Sequence, residues 1–234
     1  MANIWHIIGV LIASCILVAG LLFFMEYQKG GTPEAALLPS STTLAGPYTP
    51  EELEITNREV TNEMNRIATF TTNQGVIKIE LFEDTMPVTT GNFAKLAEEG
   101  FYNGTKFHRV INGFMIQAGD PNTKSADTSR YGTGGPGYTI QDEFVAGELL
   151  TNTRGTIAMA NTGQPNSGGS QFFINLVDNT GLDFDKEPFA SRHPVFGRVV
   201  AGMDIVDAIA QSETDGRDVP VDPVVIETIT VGAE

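Results

Sequence analysis

One stretch of the chain decides the fold: Phe107-His108-Arg109-Val110-Ile111-Asn112-Gly113-Phe114-Met115-Ile116-Gln117-Ala118-Gly119-Asp120. It sets a single arginine among large apolar side chains. Period-2 alternation predicts that Phe107, Arg109 and Ile111 lie on one side of a strand, and a second alternating strand follows from Phe114. Apolar side chains of this kind usually pack in a core, whereas an arginine usually lies at the surface. The stretch therefore predicts two half-buried strands with a cation on the open side.

The flanking sequence continues the same strand-rich pattern. Ile67–Thr72 and Val76–Leu81 enclose Asn73-Gln74-Gly75 and predict a hairpin. Pro87 is expected to open a helix that ends before Gly100, with Phe93, Leu96 and Ala97 on its apolar face. A second helix is predicted at Met203–Gln211. Further strands are expected at Lys106–Val110, Phe114–Ala118, Gly155–Ala160, Gln171–Asn175, Pro194–Val199 and Val224–Val231. Many short strands with two helices predict a mainly β fold, a closed antiparallel barrel capped by helices.

Composition narrows the classes of partner. The 234 residues carry a formal net charge of −15, and such an acidic surface repels nucleic acid and anionic lipid headgroups. Nucleic-acid binding is therefore disfavoured. The single cysteine, Cys15, excludes an internal disulfide. Hydrophobic residues make up 41% of the chain, which is enough for a sizeable core.

The N-terminal segment has the character of a membrane anchor. Ile7–Met25 is 19 residues without a charge, and as a helix it would span about 28 Å, close to the hydrocarbon thickness of a bilayer. Residues 1–27 are therefore predicted to be an uncleaved, single-pass transmembrane signal-anchor, with the following domain outside the cytoplasm. A buried soluble helix is the alternative. Ile12-Ala13-Ser14-Cys15 resembles a lipoprotein box, but the chain stays apolar after Cys15, which disfavours lipidation.

A linker is expected between this anchor and the folded domain. Residues 28–48 are rich in Gly, Pro, Ser, Thr and Ala and show no periodicity. Thr49-Pro50-Glu51-Glu52 is typical of a helix start. Residues 28–65 are therefore predicted to be a flexible linker with a possible short helix, and residues 66–234 the folded domain.

Conventional catalytic constellations are not evident. The chain has three histidines, His6, His108 and His193, and no Gly-x-Ser-x-Gly or His-Glu-x-x-His motif. Gly132–Gly137 matches a dinucleotide-binding pattern, but Pro136 within it favours a loop. Asp178–Asp183 lacks the spacing of a calcium loop. No metal or cofactor is predicted.

Several motifs, in order along the chain, resemble the cyclophilin family of peptidyl-prolyl cis/trans isomerases, in a bacterial- or archaeal-like form. They are Phe107–Asp120, Gly132–Gly137, Met159-Ala160-Asn161-Thr162, Gly169-Ser170-Gln171-Phe172-Phe173-Ile174 and His193–Val199 followed by Gly202-Met203. The resemblance covers about Arg66 to Gly232. It implies an eight-stranded barrel with two capping helices, substrates that are proline-containing polypeptides, a role in protein folding, and a monomeric soluble domain.

The resemblance also implies residue roles. Arg109 would be the catalytic arginine. The residues implied to bind substrate are Phe114, Met115, Phe173 and Leu182 around the proline ring, Gln117, Asn161 and Gln171 on the substrate backbone with Ala160 beside them, and His193 at the pocket border. One position departs from the pattern: many members carry Trp or Phe where this chain has Gly181. That difference puts cyclosporin binding and one wall of the pocket in doubt.

Isomerisation explains why a lone arginine could suffice. Rotation about an X-Pro bond is slow because amide resonance sets a barrier of roughly 18–20 kcal/mol, and no covalent bond breaks. A fixed guanidinium can donate to the proline nitrogen as it becomes pyramidal and gains a lone pair. A preorganised donor of this kind contributes about 3–4 kcal/mol. The alternative is a non-catalytic module of the same fold that binds proline-containing peptides at a membrane.

Overall fold

The computed structural model describes residues 65–187 and 192–233. The predicted anchor and all but the last residue of the predicted linker lie outside these ranges. Within them, no helix is both long enough and apolar enough to cross a bilayer.

Strands dominate the described part of the chain, and two α-helices interrupt them. The nine strands of residues 65–187 and 192–233 are β1 (Ile67–Thr72), β2 (Gly75–Leu81), β3 (Thr105–Lys106), β4 (Arg109–Ile111), β5 (Met115–Ala118), β6 (Thr156–Met159), β7 (Phe172–Asn175), β8 (Val195–Ala201) and β9 (Val225–Gly232). The helices are α1 (Pro87–Glu98) and α2 (Met203–Ala210). Short 3₁₀ helices lie at Pro121–Lys124, Thr128–Arg130, Glu148–Leu150 and Thr180–Leu182. The predicted hairpin and both predicted helices are confirmed to within a residue or two.

The strands form one antiparallel sheet that curves into a half-barrel, so the prediction of a closed eight-stranded barrel is wrong. Their order is β3-β9-β1-β2-β8-β6-β7-β5-β4. The difference arises because the predicted strand Lys106–Val110 divides in two: β3 pairs with β9, and β4 pairs with β5 at the opposite edge. Phe107 and His108 link these edge strands, and their backbone N–H groups donate to Val224 and Gln117, respectively. Covalent connection, rather than a hydrogen-bonded ladder, therefore joins the two edges.

Because the predicted strand is divided, Phe107 does not lie on the same side as Arg109, contrary to the sequence-based prediction. The side chain of Phe107 is buried in the core, whereas Arg109 is exposed. Regular alternation starts only at Arg109, the first residue of β4, because a bend between strands releases Phe107 from the period of two.

The core lies on one face of β4, β5, β7 and β6. Val110, Ile116, Ile174 and Ile157 pair in register across these four strands, and each is at most 3% exposed. Side chains of directly opposed residues lie on the same face of a sheet, so this row is apolar throughout. The residues one position along therefore point to the other face.

Helix α1 covers the core with the face that its sequence predicts. Pro87 occupies the first turn, where its missing N–H costs no helical hydrogen bond. Phe93 is fully buried, and its ring lies 5.6 Å from that of Phe172 at an interplanar angle of 82°. Phe172 makes further edge contacts with Phe70 and Tyr102, so one aromatic cluster joins the helix to the sheet.

Candidate active site

A row of dissimilar side chains lies on the face opposite the core. Arg109 opposes Gln117, Gln117 opposes Phe173, and Phe173 opposes Ala158 across adjacent strands. Arg109 is exposed, Gln117 half-buried and Phe173 buried. The register thus places a cation, an amide and an aromatic ring side by side. With strands about 4.8 Å apart, the row from Arg109 to Phe173 spans about 10 Å, the size of an X-Pro pair.

Gln171 joins this row to the glycine-rich loop. The side chain of Gln117 donates to that of Gln171 through Nε2 and Oε1, 2.9 Å apart. The Nε2 of Gln171 in turn donates to the carbonyl oxygens of Gly132 at 3.0 Å and Gly134 at 2.8 Å. Residues 132–137 form a loop with no following helix, as the sequence predicted. Both glutamine side chains are therefore held in position before a substrate arrives.

The buried carboxylate of Asp120 fixes the same loop from below. Its Oδ1 accepts the N–H of Asn122 at 2.7 Å, and its Oδ2 accepts the N–H of Gly132 at 2.5 Å. A β-carbon on Gly134 would overlap the Asp120 carboxylate, so glycine alone fits there. The loop is thus anchored to β5 through Asp120 and to β7 through Gln171.

His193 borders Phe173 as a neutral base. The two rings pack edge to face, with centroids 5.3 Å apart and planes at 82°. His193 Nδ1 donates to the carbonyl of Met159 at 3.0 Å, which fixes the tautomer because a carbonyl can only accept. Burial lowers the pKa of His193, so the ring is uncharged at neutral pH. It provides an apolar edge rather than a second cation.

Ala160 and Asn161 lie next to Gln171. The N–H of Ala160 donates to the carbonyl of Gln171 at 2.9 Å. The side chain of Asn161 is already engaged within the protein: its Nδ2 donates to the carbonyl of Arg192 at 2.6 Å, and its Oδ1 accepts the N–H of Gly163 at 3.0 Å. A hydrogen bond from this side chain to a substrate would therefore replace or share one of these contacts.

The remaining predicted pocket residues differ in exposure. Met115 lies on the same face of β5 as Gln117, but it is only 2% exposed and packs within the hydrophobic core, so it offers little surface to a substrate. Phe114 and Leu182 are half-buried and pack against that core. The Phe114 carbonyl accepts the N–H of Leu176 and the side-chain amide of Asn179, which holds the turn before β5. Gly181 has no atom within 4 Å of where its β-carbon would lie, so this rim of the pocket is open.

Asp218 is a neighbour of Arg109 that no sequence motif indicates. Arg109 Nε lies 3.8 Å from Asp218 Oδ2, and the two side chains are 44% and 46% exposed. The backbone supports the pairing, since the N–H of Val110 donates to the carbonyl of Asp218 at 2.8 Å. Asp215-Gly216-Arg217-Asp218 has the composition of a polar turn, which predicts a loop but not its partner.

The arrangement suits binding and polarisation rather than bond cleavage. It offers one fixed cation, two oriented amides and an aromatic floor. In the described part of the chain, no group of three or more His, Cys, Asp or Glu side chains is placed to hold a metal ion.

Comparison with known proteins agrees with this geometry. Residues 67–231 match the family described as "Cyclophilin type peptidyl-prolyl cis-trans isomerase/CLD". Peptidyl-prolyl cis-trans isomerase B of Escherichia coli is 47% identical over an alignment of 173 residues, and the match covers 70% of this chain and 99% of that protein. A cyclophilin type peptidyl-prolyl cis-trans isomerase of Cryptosporidium parvum has a solved structure with a TM-score of 0.62. It is 30% identical, and the match covers 72% of this chain and 98% of that one.

A second crystal structure of that Cryptosporidium parvum protein, determined in the presence of the dipeptide Ala-Pro, matches with a TM-score of 0.61 and 30% identity, over 72% of this chain and 99% of that one. Family, relatives and fold agree over the same region of the chain. This chain therefore belongs to the cyclophilin family of peptidyl-prolyl cis/trans isomerases.

Proposed function

We propose that this isomerase rotates X-Pro bonds of polypeptide chains over the row Arg109–Gln117–Phe173, and that an N-terminal helix tethers it to a membrane. The observation that carries the first part is the register of β4, β5 and β7, which lines up the three side chains. A proline ring packed on Phe173 would bring the prolyl nitrogen towards Arg109. The dipeptide Ala-Pro, in whose presence the Cryptosporidium parvum protein was crystallised, is an X-Pro pair of this size.

In this proposal, Arg109 lowers the barrier by stabilising the twisted amide. As the C–N bond twists, the nitrogen loses resonance and gains a lone pair, to which the guanidinium donates. Only an interaction that strengthens in the twisted state lowers the barrier. Arg109 suits this role because its charge is permanent and its planar donors keep a fixed direction. Asp218 contacts Nε and leaves the terminal nitrogens of the guanidinium open to substrate.

The remaining residues hold the two sides of the rotating bond. Phe173, Phe114, Leu182 and His193 would surround the proline ring, with Met115 beneath them. Gln117, Gln171, Ala160 and Asn161 would bind the flanking backbone. Because Gln117 and Gln171 are already hydrogen-bonded to each other and to the Gly132–Gly137 loop, little side-chain entropy is lost when substrate binds.

A cis-to-trans assay with a proline peptide and the full-length chain tests the catalytic role. We expect Arg109→Ala to lower kcat/KM by about 10²–10³-fold, the size of an oxyanion-hole deletion. The kcat/KM of Arg109→Lys should lie between those of wild type and Arg109→Ala, because a lysine keeps the charge and loses the planar donors. Tight peptide binding without turnover by the wild type would instead favour the non-catalytic binding module. An unchanged rate in Arg109→Ala would remove this residue from the mechanism.

The membrane tether rests on the sequence of Ile7–Met25, which is uncharged and long enough to span a bilayer. We propose a single-pass anchor with the isomerase domain outside the cytoplasm, where it would assist chains that fold near the membrane. Protease protection of intact cells and of inverted vesicles tests the orientation. Digestion of the domain in intact cells supports the proposal, and digestion in inverted vesicles alone contradicts it.

A further inference from the structure

Two cavities meet at Asn161. One, of about 480 Å³, is lined by Gln117, Gln171 and the Gly132–Pro136 loop, so it belongs to the row described above. The other, of about 280 Å³, lies beyond Asn161 and is bounded by Asp142, Phe144 and Arg192. Both volumes far exceed the roughly 10–15 Å³ that one water molecule requires.

We propose that the cavity between Phe144 and Arg192 is a second substrate subsite, which receives the side chain of an acidic residue flanking the isomerised X-Pro pair. The inference rests on the proposed function, because Asn161 would have to touch the substrate backbone at the shared edge. A chain that crosses Asn161 from the first cavity enters the second without leaving the protein surface. The subsite would make the enzyme discriminate among X-Pro sequences according to the residue that flanks the X-Pro pair.

Arg192 supplies the charge that recognises a carboxylate. Its side chain is exposed, and none of the ion pairs within residues 65–187 and 192–233 involves it. The peptide group that follows it is held at both its oxygen and its nitrogen: Asn161 Nδ2 donates to the Arg192 carbonyl at 2.6 Å, and the N–H of His193 donates to the carbonyl of Leu182 at 3.0 Å. A cation held at a cavity edge is distinctive in a chain whose net charge is −15.

The other walls suit the stem of a glutamate. The ring of Phe144 stacks on that of Phe184 with centroids 5.4 Å apart, which holds an apolar surface against the cavity. Among the described residues that line the space, Asp142 is the one with an acidic side chain, and its charge opposes an acidic guest. Part of that charge is already satisfied, because Asp142 Oδ2 accepts the N–H of Asn166 at 2.8 Å. The guest carboxylate is therefore expected on the Arg192 side.

The loop that forms the floor is preorganised. Ser167 Oγ accepts the N–H of Thr162 at 3.1 Å and donates to the carbonyl of Gln164 at 2.6 Å. The Asn166 side chain accepts the N–H of Asp142 at 2.9 Å, which closes a reciprocal pair between the two segments. A cavity whose walls are fixed in this way loses little entropy when it is filled.

A peptide series tests the proposal with the full-length chain in a neutral detergent. Each peptide carries one X-Pro bond, with Glu, Gln or Lys at one of the two positions before or after that pair, and kcat/KM is measured for each. Wild type should prefer Glu over Gln by about two- to fivefold at one of these positions, the effect of an exposed ion pair. Arg192→Gln should abolish that preference and keep the rate on the Gln peptide. Arg130→Gln, an equal change of charge at another exposed arginine, should retain it.

Added salt should weaken the preference for Glu, because an exposed pair is screened. No preference for Glu in wild type, or an equal preference in wild type and Arg192→Gln, would overturn the subsite. Loss of the preference in Arg130→Gln would overturn it too, since a general charge effect would then suffice. The Gln peptide separates the two proposals: it must still turn over if the subsite fails, and it would not turn over if the proposed function failed.

Discussion

The guanidinium of Arg109 and the carboxylate of Asp218 form an ion pair at the edge of the sheet, with Nε 3.8 Å from Oδ2. The loop bearing Asp218 is itself fixed, because Asp215 Oδ1 accepts the N–H groups of Arg217 and Val219 at 2.8 and 3.0 Å. The arginine is thus directed by a carboxylate that does not need to touch the substrate.

Asp218→Asn should lower kcat by about two- to fivefold and change KM little, because the pair orients Arg109 and is exposed enough to be weak. Steady-state isomerase kinetics of the full-length chain measure this split. Asp222→Asn removes the same charge from an exposed loop and serves as the control. Equal rates in the two variants would mean that Asp218 does not position Arg109.

Gly181→Trp should supply the aromatic side chain that many cyclophilins carry at this rim of the pocket. The site has room, since nothing lies within 4 Å of the β-carbon position. We expect the variant to bind cyclosporin at least about tenfold more tightly than wild type does, because buried aromatic anchors typically contribute about 2 kcal/mol or more. Calorimetric titration of both proteins measures this difference. Unchanged binding would show that the rim at Gly181 does not limit the ligand.

Phe172→Ala should destabilise the fold by about 3–5 kcal/mol, because it removes a fully buried ring that contacts Phe70, Phe93 and Tyr102. Denaturant unfolding gives the free energy of unfolding. Leu149→Ala truncates a side chain that is 60% exposed and should cost less than about 0.5 kcal/mol. Similar losses in both variants would contradict the assignment of Phe172 to the core.

Stability should fall as the pH drops from 7.5 to 5.0. Burial lowers the pKa of His108 and of His193 in the folded chain, so the unfolded chain takes up protons first, below a pH of about 6.5. The stabilisation that the two neutral histidines contribute is therefore fully present above that pH, and it declines as the pH falls towards their lowered pKa values. Glu80 and Glu83 also have lowered pKa values, and their contribution is lost only below a pH of about 4.5.

His108→Phe isolates this effect. His108 is 4% exposed, and within the described residues neither ring nitrogen makes a hydrogen bond of good geometry. Burial lowers the pKa of His108 more than its weak contacts with the Lys106 backbone and the Gln171 side chain raise it, so an apolar ring gives up only those weak contacts. The melting temperature of the variant should decline less than that of wild type between pH 7.5 and 5.0. A parallel decline in both proteins would assign the pH dependence elsewhere.

Local patterns predicted much of the fold because they depend on neighbours in sequence. The hairpin at Asn73-Gln74-Gly75 and the helix from Pro87 need only turn chemistry, capping and periodicity, and both are confirmed. The strand predicted at Lys106–Val110 was wrong in one respect. Its alternation could not reveal that Phe107 and His108 would bend the chain between two different sheet edges.

The family was also predictable from sequence, since Arg109, Gln117, Gln171, Phe173 and His193 occur in motifs of fixed order, and the comparisons confirm it. The roles of the individual site residues stay predictions. The structure adds two observations that restrict these roles: Met115 is buried, and the side chain of Asn161 already donates a hydrogen bond to the carbonyl of Arg192.

Sequence alone determined the strand periodicity outside the bend at Phe107 and His108, the helix limits and the family, because each depends on side-chain types at short spacing. Only the tertiary structure decided that Asp218 meets Arg109, that Gln171 links the sheet to the Gly132–Gly137 loop, and that Arg192 lies beside a cavity past Asn161. Such contacts join residues that are far apart along the chain. They depend on the order and register in which the strands pair, and a local pattern specifies neither.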